Sequence, residues 1–179
     1  MRVNNLNFIN EQIKNCSLCT LCKLRNNSVL IENKKSDVLF VSLFYDLNFL
    51  NFLKNSSFED TLSFNGVFSY TSLLKCEPKK NALNVFLKNN EISQNLKLCR
   101  PFLDYEISFK SPKIIVTFGK EVFFAFAGEQ EQAFSTLRGG IYRLDGSFIL
   151  PTFSREQIAK NPSLENELRI DLSKIKGLL

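Results

Sequence analysis

Five cysteines, distributed unevenly along 179 residues, place the strongest constraint on how this chain can fold. Cys16, Cys19 and Cys22 lie in one short segment near the N-terminus, whereas Cys76 and Cys99 lie far along the chain. Thiolates are the ligands that zinc, copper(I) and iron–sulfur clusters select. A shared site would require a fold that brings the N-terminal segment against two distant positions.

The spacing of these cysteines favours a cluster over a single zinc ion. Four-cysteine zinc sites usually consist of two tight pairs, but Cys76 and Cys99 are widely separated, with a predicted helix between them. A cluster is larger and accepts ligands from distant loops. The alternative is that Cys76 and Cys99 are small buried apolar residues, as free cysteines often are. Cys22 is then either a substitute ligand or a free thiol.

The remaining composition excludes several kinds of chemistry. The chain has no histidine, which rules out a Ser-His-Asp triad, a Cys-His pair, His-ligated zinc and an imidazole general base. No apolar stretch is long enough to span a membrane, and Met1 to Lys14 lack the apolar centre of a signal peptide. We therefore expect a cytoplasmic protein with reduced cysteines. The net charge of +5 permits a polyanionic partner such as DNA but does not require one.

Apolar runs predict strands that alternate with helices. Alternation of this kind predicts an open α/β sheet with helices on both faces. The length suits one domain, so we expect residues 1–179 to form it, with a metal-binding segment at about 12–25. The predicted strands are 37–41, 67–74 and 113–117, the predicted helices are 46–54, 82–88, 91–110, 121–127 and 171–179, and a hairpin is predicted over 141–153.

Short motifs, spread over roughly residues 12–178, occur in an order that resembles one known family. The first is Cys-x2-Cys-x-Leu-Cys-x2-Arg, from Cys16 to Arg25. The most specific are Lys-Cys-Glu-Pro, which contains Cys76, and Pro-Lys-Ile-Ile-Val-Thr-Phe-Gly, which ends at Gly119. Together with Leu98-Cys99-Arg-Pro, Arg138-Gly139, Pro151-Thr152, Asn161-Pro162 and Asp171-Leu-Ser-Lys174, they resemble the iron–sulfur uracil-DNA glycosylases of family 4.

This resemblance implies a fold, a cofactor and a DNA partner. The fold would be a three-layer α/β/α sandwich around a mostly parallel four-stranded sheet. A [4Fe–4S] cluster would be bound by Cys16, Cys19, Cys76 and Cys99, with Cys22 as the spare thiol. The family's DNA-probing loop matches residues 154–161. Candidates for contacts to DNA phosphates are Arg155, Lys160, Arg138 and Lys75.

The residues that carry the family's reaction are replaced in this chain. Leu43 stands at the position of the acid in the family's Gly-Glu-x-Pro-Gly motif, and Ser72 stands where an Asn reads the edge of uracil. Ser154 and Arg155 replace the His and Pro of Pro-Thr-x-His-Pro. The family's Gly-x-Pro-Phe segment, whose Phe stacks on uracil, has no counterpart. The nearest aromatic residues are Phe58, Phe64 and Phe68.

These replacements predict that uracil excision is lost. Flipping a base costs a few kcal/mol, and one positioned donor on the departing base is worth about 3–4 kcal/mol. We therefore expect a monomer that keeps the fold and cluster and binds DNA or a protein partner. One alternative is an active glycosylase for another base, with Asp46, Glu59 or Asp60 as the acid. Asp46 follows the first strand of the sheet, where ligands bind in open α/β folds. Another is a zinc-stabilised interaction module with no DNA role.

Overall fold

The computed structural model describes residues 2–55, 67–79, 92–128 and 131–179. The strands are β1 (Arg25–Ser28), β2 (Val38–Ser42), β3 (Phe68–Ser72), β4 (Cys76–Pro78), β5 (Ile114–Phe118), β6 (Tyr142–Leu144) and β7 (Ser147–Thr152). The helices are α1 (Arg2–Lys14), α2 (Leu21–Leu24), α3 (Leu47–Leu53), α4 (Ile92–Lys110), α5 (Lys120–Ala127), α6 (Phe134–Leu137), α7 (Arg155–Lys160) and α8 (Leu164–Ser173), followed by a 3-10 helix (Lys174–Gly177). Within the described residues, no helix is long and apolar enough to cross a membrane.

A mostly parallel sheet forms the centre of the fold, in the order β3-β2-β5-β7-β6. The first four of these strands run parallel, and β6 pairs antiparallel with β7. The predicted fold class is confirmed, although the sheet has five strands instead of the predicted four. The fifth strand arises because Asp145 and Gly146 have positive φ angles of 48° and 88°. Such angles form a tight hairpin turn that folds β6 back onto β7.

Both faces of the sheet are covered, which explains why β2 and β5 are mostly apolar. Every residue of these two strands is buried, as expected for parallel strands between two helical layers. Because side chains alternate along a strand, Val38 and Phe40 enter one core and Leu39 and Val41 enter the other. The first core contains residues of α3, α7 and α8, and the second contains residues of α4 and α5.

A second, two-stranded sheet was not predicted. In it, β1 pairs antiparallel with β4, and Ser28 lies opposite Cys76. The strand β1 consists of Arg25 to Ser28, all polar and none fully buried, so it has no apolar pattern to reveal it. This pairing brings the N-terminal cysteine segment beside Cys76.

The C-terminal region differs from its prediction in two places. The helix predicted over 171–179 is wrong, because α8 begins at Leu164 and ends at Ser173. Its apolar face consists of Leu164, Leu168 and Leu172, which recur every four residues and pack into the first core. Residues 155–160, expected within a loop, form α7. The predicted helix over 82–88 lies outside the described residues.

A buried group of charges joins β3 to α4. Lys75 Nζ lies 2.5 Å from Glu106 Oε2 and donates a hydrogen bond of 2.7 Å to Thr71 Oγ1. Lys110 Nζ lies 3.9 Å from the other oxygen of Glu106. Burial lowers the pKa of Lys110, and the nearby Glu106 opposes that change. The prediction of Lys75 as a DNA contact is wrong, since only 2% of its surface is exposed and its charge is neutralised internally.

Glu106 should contribute strongly to stability because its carboxylate is the acidic partner of two buried ammonium groups. We expect Glu106→Gln to lower the free energy of unfolding by about 3–5 kcal/mol, the usual cost of removing one partner from a buried ion pair. Asp104→Asn is the matched control on the same helix, because Asp104 is half-exposed and pairs with Arg100. That control should cost under about 1 kcal/mol. Urea unfolding followed by circular dichroism measures both, and equal losses would contradict this assignment.

Candidate metal centre and active-site edge

Four of the five cysteines line one narrow cleft. They are Cys16, Cys19, Cys76 and Cys99, the four that were predicted as ligands. Cys22 is half-buried and does not line this cleft. Apart from Lys75, the other walls are apolar and consist of Ile13, Leu18, Leu21, Leu74, Leu98 and Phe102.

Separate elements bring these thiols together. Cys16 and Cys19 lie between α1 and α2, Cys76 begins β4, and Cys99 lies on α4. Two backbone hydrogen bonds extend the β1–β4 pairing: Lys79 N–H donates to Leu24 at 3.0 Å and Val29 N–H donates to Lys75 at 2.9 Å. The Lys75 N–H in turn donates to Cys99 Sγ at 3.2 Å. The backbone around Cys76 therefore contacts both the N-terminal segment and α4.

Burial favours the protonated form of three of these thiols, those of Cys19, Cys76 and Cys99. It raises the pKa of Cys76 to about 11 and also raises the pKa values of Cys19 and Cys99. The neighbouring cysteines reinforce each of these shifts, whereas the Arg25 side chain opposes the shift at Cys76. Binding of a metal would have to displace these protons, because the thiolate is the ligand.

The donor set of the cleft suits a [4Fe–4S] cluster. Its potential ligands are sulfur atoms, the soft donors that iron–sulfur clusters take. No group of three or more Cys, Asp or Glu side chains within the described residues is arranged to hold a metal ion. The structure does bring the four predicted ligands to one cleft. Their role as ligands stays a prediction. When bound, a cluster would cross-link three parts of the chain and supply a redox centre.

The carboxyl ends of the parallel strands form the edge at which open α/β sheets bind ligands. We call it the active-site edge. Leu43 follows β2, Ser72 ends β3 and Ser154 comes shortly after β7. These predicted pocket positions therefore lie along the same edge, as does Gly119 after β5. Leu43 is half-buried and packs into the apolar core. Ser72 is fully buried, and its hydroxyl donates to the Leu74 carbonyl at 2.7 Å. Both side chains are thus occupied by the protein itself.

Asp46 and Arg155, from two replaced motifs, form an ion pair across this edge. Asp46 Oδ1 accepts hydrogen bonds from the N–H groups of Asn48 at 2.9 Å and Phe49 at 3.2 Å, and so caps α3. Its other oxygen, Oδ2, accepts a hydrogen bond from the Arg155 guanidinium. Both oxygens of the candidate acid are therefore engaged in structural contacts.

Ser154, which stands at the position of the family's His, caps α7. Its hydroxyl accepts from Gln157 N–H at 3.3 Å, and the Gln157 side chain accepts from Ser154 N–H at 2.9 Å. This reciprocal arrangement is a capping box, and the Ser-x-x-Gln spacing that signals it is visible in the sequence. Gly119 has a φ of 97°, and a Cβ built there would lie 3.0 Å from Ser154 Cβ. The edge is consequently closely packed at this point.

Two hydroxyl groups near this edge were not predicted to meet. Ser42 Oγ and the Tyr70 hydroxyl lie 2.8 Å apart, and the ring of Tyr45 lies 5.1 Å from that of Tyr70. Burial raises the pKa of Tyr70, so it remains a neutral phenol. Nothing in the spacing of these residues signals the contact, because it depends on the alignment of β2 with β3.

Two known proteins are similar in sequence to this chain over nearly its whole length. No protein-family model matches the sequence. The type-4 uracil-DNA glycosylase of Sulfurisphaera tokodaii is 26% identical over 196 residues, which span 98% of this chain and 86% of the relative. The type-4 uracil-DNA glycosylase of Saccharolobus solfataricus is 25% identical over 203 residues, which span 99% of this chain and 88% of the relative. This similarity, which covers nearly the whole chain, supports a family 4-like place in the uracil-DNA glycosylase superfamily.

The remaining DNA-contact candidates of this glycosylase-like chain differ in their surroundings. Arg138 pairs with Asp171 and Glu167, each at 2.7 Å, and its guanidinium lies 4.4 Å from the centre of the Phe153 ring. It is therefore committed to contacts within the protein. Lys160 is exposed in the last turn of α7, and 49% of the Arg155 side chain is exposed.

Several residues proposed for the glycosylase pocket cannot be assigned to it. Phe68 begins β3, at the opposite end of the strand from Ser72, and its ring lies 5.3 Å from that of Phe40. It is therefore part of the core and not a platform for a base at the active-site edge. The other four, Glu59, Asp60, Phe58 and Phe64, lie outside the described residues.

If Ser154 serves as a helix cap, its removal should cost stability. We expect Ser154→Ala to lower the free energy of unfolding by about 1 kcal/mol, the typical value of an N-cap side chain. Ser163→Ala is the matched control, because Ser163 precedes α8 without a capping hydrogen bond from its side chain. Urea unfolding compares the two variants. A loss at Ser163 as large as that at Ser154 would argue against the cap.

Proposed function

We propose that this chain is an iron–sulfur member of the uracil-DNA glycosylase superfamily that lacks standard uracil excision. It keeps the fold and the cluster and binds DNA or a protein partner in DNA metabolism. Four cysteines that line one cleft support the cluster, and the closed active-site edge supports the loss of excision.

The contact that carries this proposal is the ion pair between Asp46 and Arg155. A general base or a water-positioning acid needs a free oxygen directed at its substrate. Asp46 has one oxygen on the Arg155 guanidinium and the other on two backbone N–H groups. An active enzyme that relied on Asp46 would have to break at least one of these contacts before it could act.

The energetics of base excision point in the same direction. The family-like positions carry Leu43, Ser72 and Ser154, of which Leu43 has no polar group and the two hydroxyls are occupied within the protein. Ser72 therefore has no free O–H for the edge of a flipped base, and without any histidine the chain has no imidazole to stabilise the charge on the departing base. A shortfall of about 3–4 kcal/mol from a single missing donor would slow catalysis by more than a hundredfold.

Binding to DNA requires much less of the site than excision does. Phosphate contacts need exposed positive charge, which Lys160 supplies in the last turn of α7, and the half-exposed guanidinium of Arg155 begins the same helix. The net charge of +5 favours a polyanion in general. These contacts predict binding that depends on salt and little on the identity of the base.

An assay for excision and binding on the same samples tests this function. Anaerobically prepared protein is incubated with single- and double-stranded oligonucleotides that contain uracil, hypoxanthine or xanthine, and abasic sites are cleaved with alkali. We expect no strand breaks above background, and an affinity for the same oligonucleotides that falls as salt increases. Lys160→Ala should weaken binding, whereas Lys23→Ala, an exposed lysine on α2, serves as its control.

Strand breaks that appear with the wild type and vanish in Asp46→Asn would contradict the loss of excision. They would favour an active glycosylase with Asp46 as its acid. Binding that does not respond to salt would contradict phosphate contacts. Urea unfolding of Asp46→Asn shows whether that variant remains folded, which keeps a lost activity separate from a lost fold.

A further inference from the structure

We propose that Arg25 is a positioning residue for the cluster: it ties the end of the N-terminal cysteine segment to the strand that pairs with the one beginning at Cys76. This inference rests on the cluster of the proposed function. Arg25 is the last residue of the motif Cys-x2-Cys-x-Leu-Cys-x2-Arg, and that motif gave it no role.

The guanidinium of Arg25 donates hydrogen bonds to carbonyl groups at and just after the end of α1. One nitrogen lies 3.4 Å from the Ile13 carbonyl oxygen and 3.3 Å from that of Cys16, and the other donates to the Lys14 carbonyl. The last carbonyls of a helix lack partners within the helix and attract positive charge. Arg25 therefore determines where α1 ends and where the backbone of Cys16 lies.

The same residue reaches the opposite wall of the cleft. Arg25 begins β1 and pairs with Pro78 of β4, so its backbone lies beside the strand that begins with Cys76. One residue thus connects the Cys16 backbone, through its side chain, to the strand that begins with Cys76, through its backbone.

Arginine is suited to this position in a way that lysine is not. The guanidinium carries five N–H donors in a rigid plane, whereas an ammonium presents three donors around one nitrogen. Contacts to three carbonyls, approached from different sides, need the spread of the guanidinium. A lysine would retain the charge but lose part of this geometry.

A positive charge that contacts the backbone of the proposed ligand Cys16 should also affect the redox behaviour of the cluster. A cluster bound by four thiolates is an anion, and reduction adds further negative charge. Hydrogen bonds to the sulfurs and nearby charge are among the factors that set the reduction potential. Arg25 should therefore stabilise the reduced state and raise the potential.

The test compares Arg25→Ala and Arg25→Lys with the wild type, with Lys23→Ala as the matched control. Lys23 is two residues away, exposed and similarly charged. Iron and sulfide per chain and the midpoint potential are measured on anaerobic samples. We expect Arg25→Ala to lose cluster and to shift the one-electron reduction equilibrium at least tenfold towards the oxidised form, about 59 mV. Arg25→Lys should show a smaller shift, and Lys23→Ala none.

Two outcomes would overturn the inference. One is wild-type iron content together with a wild-type potential in Arg25→Ala. The other is reduced stability with an unchanged potential in either variant, which would mean that Arg25 supports only the fold. Where Arg25→Ala binds no iron, the potential of Arg25→Lys decides between these results. A wild-type protein without iron would instead refute the cluster itself, which distinguishes failure of the proposed function from failure of this inference.

Discussion

The contact between the N-terminal cysteine segment and β4 is the one on which the candidate metal centre depends. It consists of a short antiparallel pairing between β1 and β4 and the hydrogen bonds of Arg25. Neither strand has a continuous apolar pattern, so the pairing gains little from the hydrophobic effect by itself. The thiols behind it are buried and protonated. A bound cluster would add metal–ligand bonds to the apolar packing of Leu21 against Leu74 at this position.

The active-site edge shows how replacements in separate motifs can form one consistent structure. Ser154 caps α7, Asp46 caps α3, and Arg155 joins the two helix starts through Asp46. Each residue would look like the simple loss of a functional group if it were considered alone. Together they stabilise the edge from which a substrate would approach. The residues at these positions therefore have structural roles in this chain.

The sequence predicts the sheet well because its information is local. The runs Val38–Ser42 and Ile114–Phe118 are apolar apart from Ser42 and Thr117, which is the pattern of a strand covered on both faces. Prediction fails where a role depends on a distant partner. Lys75 is indistinguishable from a surface lysine until Glu106 of α4 is placed beside it. Asp46 at the end of a strand has the same signal as a catalytic acid or as a helix cap, and only Arg155, which is far along the chain, distinguishes the two.

The central claim is that four cysteines hold a cluster in a fold that no longer performs the reaction. The most direct measurement is the iron and acid-labile sulfide content of anaerobically prepared wild-type, Cys99→Ser and Cys22→Ser proteins. The account predicts a brown wild-type protein with about four irons and four sulfides per chain, loss of both in Cys99→Ser, and no change in Cys22→Ser. A colourless wild-type protein that contains one zinc ion per chain, or a cluster lost equally in Cys22→Ser, would contradict it.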